Sequence, residues 1–207
     1  MAVDIPSVSE FKRGFLAFEA HEKREAMYRT ATFLVEHHWG RPAEMADSVG
    51  VLLLTWNNAF YRYGLFDFDA LEACIETSME RLTAYRGRDI LSWDADDDAP
   101  VRELFDEFLI ALGICEGKKA GVCSPVGVAK ALHMLAPRFF PLWDDKIAKA
   151  YGCYYAHEAS GRYVLFCDRT RLMAEELIQA GFRPQSSKTI LKLIDEYNYA
   201  RYTKGWV

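Results

Sequence analysis

The chain has no run of about 18 or more apolar residues, so a membrane-spanning helix is not expected. Its first residues, MAVDIPSVSEFKRGF, contain no apolar signal core, which argues against secretion. Cysteine is sparse and odd in number, with five residues and no CxxC pair. A disulfide framework is therefore not expected, and a reducing, cytoplasmic setting fits better. Zinc sites from Cys115, Cys123 and His133, or from Cys153, His157 and Cys167, match no common ligand spacing. Buried free thiols are the plainer reading, and no metal or cofactor is implied. The acidic run Asp94, Asp96, Asp97, Asp98 lacks the glycine and the closing glutamate of a calcium loop. There is no alternating strand series, internal repeat or low-complexity linker.

A net positive charge is also missing. The formal charge is −5, against a generic nucleic-acid binder. The charge is uneven, however. Residues 1–117 hold 11 Lys+Arg against 22 Asp+Glu, and residues 118–207 hold 14 against 8. A basic half can bind phosphates locally, or the two halves can simply attract each other. The basic set comprises Lys118, Lys119, Lys130, Arg138, Lys146 and Lys149, with Lys188, Lys192, Arg201 and Lys204 near the C-terminus.

What is present is helical periodicity. Over residues 8–39, Phe11, Phe15, Phe18, Met27, Ala31 and Leu34 recur at helical spacing, predicting one helix capped by Ser7 or Ser9. PAEMADSVGVLLLTWNNAFYRYG predicts a second helix, and FDALEACIETSMERLTAYRG a third, capped by Asp67. Asp98 is expected to cap a helix opened by Pro100. CEGKKAGVC reads as a loop, and the stretches after residue 160 read as helices, with RYVLFC the only short strand candidate. The class is all-α, one unit over 1–207 with halves 1–117 and 118–207. At 207 residues, 51% hydrophobic, the chain can bury a sizeable core.

The most patterned stretch is SPVGVAKALHMLAPRFFPLWDDKIAKAYG, residues 124–152. Ser124-Pro125 starts a helix, and Val126, Ala129, Leu132, His133 and Ala136 share a face. Pro137 ends it, and RFFPLW is extended because residues before proline avoid the helical region. Asp144 or Asp145 then caps the helix KIAKAYG. The question is whether that carboxylate is only a cap.

This stretch resembles the core of the helix-hairpin-helix DNA glycosylase superfamily. PVGVAKAL stands where the family has a Leu-Pro-Gly-Val-Gly type turn, and LWDDKI where it has an essential aspartate at a helix mouth. Matching Ile147 to the family's valine puts Asp144 on that aspartate. LLLTWNNAFYR resembles an early family helix with a Ser-Gln-Asn-Asn-like run. The resemblance spans about residues 45–155, including a hairpin-like segment within 118–152. It implies two packed helical halves with a cleft between them and DNA as partner, and it implies excision of a damaged or modified base flipped out of the duplex. Trp56, Asn57, Asn58, Tyr61 and Trp143 would bind the base, and Gly127, Lys118, Lys119 and Lys146 the DNA backbone. Asp144 would be catalytic. The turn has one glycine, Gly127, where the family has two or three. The family's nucleophilic lysine falls on Ala129, with Lys130 one residue on. About 100° of helical rotation would aim Lys130 elsewhere, so water is the expected nucleophile and a lysine adduct the lesser alternative. No four-cysteine iron–sulfur motif follows. A non-catalytic helical module that kept this fold is the second reading.

Overall fold

A computed structural model describes residues 4–22, 25–184 and 188–207. Among them the regular secondary structure is all helical, with no strand. The ten α-helices are α1 Val8–His21, α2 Glu25–His37, α3 Pro42–Trp56, α4 Asn58–Tyr61, α5 Phe68–Arg86, α6 Asp98–Ala111, α7 Pro125–Leu135, α8 Asp145–Ala150, α9 Ala159–Gln179 and α10 Ile190–Asn198. A wide π-turn, Tyr199–Lys204, extends α10. RYVLFC lies inside α9.

Most predicted boundaries match the chemistry that set them. Ser7 and Glu10 form a capping box at α1, satisfying two otherwise orphaned N–H groups. Asp67 accepts from Asp69 and Ala70 at the start of α5. Three boundaries differ. The single helix expected over residues 42–64 breaks at Asn57 into α3 and α4. The single helix expected over residues 8–39 is two, because Glu22 takes an extended conformation after His21; residues 23–24 lie outside the described residues. At α6, the helix begins at Asp98 itself. Asp97 occupies the cap position but turns its carboxylate to Arg88 and to the Asp94 N–H.

The packing groups α2, α3, α5 and α6 in sequence-adjacent pairs, with α9 against α6. α1 packs instead on α10 and its π-turn, through Phe11 against Tyr197 and Phe18 against Tyr199. The first helix thus closes onto the last. α7 touches α2, α3 and α6 and is buried on nearly every side, well beyond the single face expected. Pro125, Val126 and Lys130 are its only partly exposed residues.

Second-half cations meet first-half acids directly. Lys188 lies 3.0 Å from Glu19, Lys192 3.7 Å from Glu25, Arg201 3.0 Å from Asp4 and Arg138 3.2 Å from Asp89. Lys192 is only 1% exposed, so it cannot meet DNA in this conformation, and part of the charge asymmetry is used inside the molecule.

Candidate active site

After α7, Phe139 and Phe140 anchor the chain. Phe139 stacks on Tyr85 at 4.8 Å and on Trp93 at 5.4 Å. The extended segment then buries Trp143 among Phe105, Tyr155, Tyr163 and Phe166. Its indole N–H donates to the Pro125 carbonyl at 3.1 Å, fixing the approach to α8 against the first turn of α7. The next residue, Asp144, is thereby delivered to the mouth of α8. Its Oδ1 accepts the Ile147 N–H at 2.8 Å, the bond that caps the helix. Its Oδ2 accepts the Thr203 hydroxyl at 2.6 Å. Asp145 is turned to Lys149, 2.7 Å away, in an ordinary i,i+4 pair.

Besides capping α8, Asp144 lines a cleft of about 370 Å³. The cleft brings Asp144 and Asp145 together with Trp56, Asn57, Lys130 and Trp143, from α3, α7 and the segment before α8. Phe18, Glu22, Tyr155, Asp195, Tyr199 and Thr203 complete the walls. It therefore opens where α1 and α10 face α3 and α7.

Each expected residue has a definite place. Trp56 stacks on Tyr28 at 5.4 Å and 14°. Asn57 follows α3; its side-chain amide N–H donates to Ser124 Oγ at 3.0 Å, leaving the side-chain Oδ1 with no hydrogen bond among the described residues. Lys130 lines the cleft, contrary to the rotation argument, with its amine donating to the Trp56 carbonyl at 2.7 Å. Asn58 is exposed and lies outside the cleft. Tyr61 is buried, its hydroxyl donating to the Leu112 carbonyl at 3.0 Å. Gly127 is buried and its N–H is taken by Ser124 Oγ at 3.1 Å, so it offers no open phosphate cradle. Its place is steric: a β-carbon there would sit 3.0 Å from the Tyr61 hydroxyl. Lys118 and Lys119 are exposed on the loop after α6, Lys119 over the Tyr63 ring, and neither lines the cleft. Lys146 is exposed and donates to the carbonyl of the wall residue Thr203 at 2.8 Å.

Behind Trp56 lies a buried relay. The Tyr28 hydroxyl meets His133 Nε2 at 2.8 Å, and His133 Nδ1 meets the Phe140 carbonyl at 2.7 Å. A carbonyl only accepts, so Nδ1 carries the proton and the neutral ring accepts from Tyr28 at Nε2. Burial, reinforced by the Lys192 charge, pushes the His133 pKa down to about 4, against the pull of the Phe140 bond. The Lys192 ammonium sits 4.7 Å from the Phe18 ring, 4.8 Å from Tyr28 and 5.5 Å from Trp56. Asp195 is the residue that sequence reasoning missed. Its one signal is an acidic pair, Asp195-Glu196, three residues after Lys192 in a helix that also carries four apolar residues, Ile190, Leu191, Leu193 and Ile194.

The described residues include no group of three or more His, Cys, Asp or Glu side chains arranged to hold a metal ion. No described helix is long and apolar enough to cross a membrane. Comparison with models of known families, with curated proteins and with solved structures finds no match to this chain.

Proposed function

We propose that the cleft receives a damaged or modified base swung out of DNA and cleaves its bond to the sugar, the reaction of a DNA N-glycosylase. The observation that carries this reading is the convergence of Asp144, Trp56, Asn57 and Trp143, from two separate motifs, on one aromatic-walled cleft. About 300–1,000 Å³ is the usual size of a small-molecule pocket, and the cleft lies within it. A base is planar and aromatic. Trp56 supplies a stacking face, and the Asn57 carbonyl a hydrogen-bond acceptor for a base edge. Breaking the bond to the base leaves positive charge on the sugar. A fixed carboxylate facing that charge stabilises it more than it stabilises the neutral substrate. Asp144, held by two donors, is suited to this role. Water is the nucleophile in this account. Lys130 anchors its amine on the Trp56 carbonyl and marks the wall against which the base would lie.

A non-catalytic binding module is the second reading. It is favoured by the occupied Gly127 N–H and by the internal pairing of Lys188, Lys192 and Arg201, which leave fewer groups for a DNA backbone. Trp56 provides a test. The fluorescence of wild type, and not that of Trp56→Phe, should be quenched more strongly by a duplex carrying a damaged base than by an undamaged duplex. Equal response to both duplexes at about 50 mM salt would contradict the base-flipping reading, and no response to either would remove DNA as the partner.

A further inference from the structure

Four carboxylates line the cleft, those of Glu22, Asp144, Asp145 and Asp195, and Asp195 is held differently from Asp144. It projects from α10 and is only 14% exposed. One oxygen, Oδ2, accepts from Lys192 Nζ at 3.2 Å. The other, Oδ1, accepts no hydrogen bond among the described residues. In Asp144, by contrast, both oxygens are engaged. Two carboxylates in one cleft with different attachments can take different parts in one reaction. The anchored one suits a fixed charge, and the one with an open oxygen suits a proton carrier.

The charged and titratable groups around Asp195 are Lys192 and Glu196 from α10, Asp144 at the mouth of α8, Lys130 from α7, and Glu25 and Tyr28 from α2, with Glu22, Tyr155 and Tyr199 lining the same cleft. Burial, helped by the nearby Asp144 charge, holds its pKa above the ordinary aspartate value, while Lys192 and Lys130 pull the other way. A carboxylate raised in this way is a stronger base when ionised.

We propose that Asp195 accepts the proton of the attacking water while Asp144 faces the sugar; this rests on the glycosylase reading above. The water O–H bond breaks and its proton goes to Asp195 Oδ1. The water oxygen bonds to C1′ of the sugar as the C1′–N bond breaks, and the bonding pair leaves on the base nitrogen. Asp195 then passes the proton to the departing base. The products are the free base and an abasic site, with no change of oxidation state and no co-reactant besides water.

The test uses the full chain on a duplex that the wild type cuts, in single-turnover excision. Asp195→Asn should slow excision by about 100-fold or more, the scale of a lost general base, while binding an abasic-analogue duplex within about threefold of wild type. Asp195→Glu should recover much of the rate. The wild-type rate should fall on the acid side along a one-proton limb that the residual Asp195→Asn activity lacks. Excision by Asp195→Asn within about threefold of wild type overturns the assignment. If thermal melting shows that Asp195→Asn does not fold, the wild-type profile decides, and a flat rate between about pH 4 and pH 8 overturns it. A wild type that cuts no duplex overturns the glycosylase reading first, and Asp195 with it.

Discussion

The Thr203 hydroxyl donates to Asp144 Oδ2 at 2.6 Å, joining the mouth of α8 to the turn that ends the chain. This bond makes the C-terminal turn part of the cleft. Thr203→Val removes it while keeping the side chain's shape. Stability should fall by about 1 kcal/mol, and excision by about tenfold through looser placement of the carboxylate. Urea melts and single-turnover rates on the same preparation check both. An unchanged rate would show that Ile147 alone holds Asp144.

His133 gives a pH dependence of stability with a definite sign. Its folded pKa, about 4, lies below the ordinary 6.5, so the unfolded chain takes up the proton first as pH falls. The stability it contributes is complete above about pH 6.5 and is lost progressively down to about pH 4. Between pH 7 and pH 5 the loss should be about 2 kcal/mol. Urea unfolding of wild type and His133→Gln at the two pH values tests this. The difference between the two proteins should shrink at pH 5, and a constant difference would contradict the buried neutral ring.

Lys192 is the buried cation for Glu25, Asp195 and Glu196. Lys192→Met keeps an unbranched apolar stem but removes the ammonium from the Phe18, Tyr28 and Trp56 rings and strands buried carboxylates. The expected cost is about 3–5 kcal/mol, recovered in part by adding Asp195→Asn. The exposed pair Asp145–Lys149 should contribute under about 0.5 kcal/mol, since solvent screens it. Chemical denaturation of Lys192→Met and Lys149→Met would rank them; equal effects would contradict the buried network.

Salt dependence separates internal from DNA-facing cations. Lys188 is already paired with Glu19 and Glu196, so Lys188→Ala should leave the slope of affinity against salt unchanged. Lys146→Ala, on an exposed side chain beside the cleft wall, should lower that slope by about 1. Fluorescence anisotropy with a labelled duplex over several salt concentrations reads both. Equal loss of slope would mean that the ion pair opens on DNA.

The helices were legible because their apolar residues repeat at helical spacing and their caps are Ser, Asp and Pro. The break after His21 was not, because no glycine or proline marks it; its signal is a slip of phase, since the nine residues from Phe18 to Met27 are about two and a half turns and put the two on opposite faces. Asp144, Trp56, Asn57 and Trp143 were legible through two short motifs. Asn58 and Tyr61 were not sorted from them, because the interruption at Asn57 turns the following residues away from the cleft. Lys130 was misjudged by register alone. Its four-carbon stem spans what one residue of rotation costs and reaches the Trp56 carbonyl. Asp195 was missed because an acidic residue on a helix reads as a solvated face. Only the fold shows that its neighbours across the cleft are Asp144 and Lys130.

The most direct measurement is excision from a panel of duplexes carrying damaged or modified bases, by wild type, Asp144→Asn and Asp145→Asn. Asparagine caps a helix about as well as aspartate, so Asp144→Asn should change stability by under about 1 kcal/mol. Wild type should release at least one base, Asp144→Asn should lose about 100-fold or more of that rate, and Asp145→Asn should stay near wild type. Release at equal rates by wild type and Asp144→Asn would contradict it and leave Asp144 a helix cap.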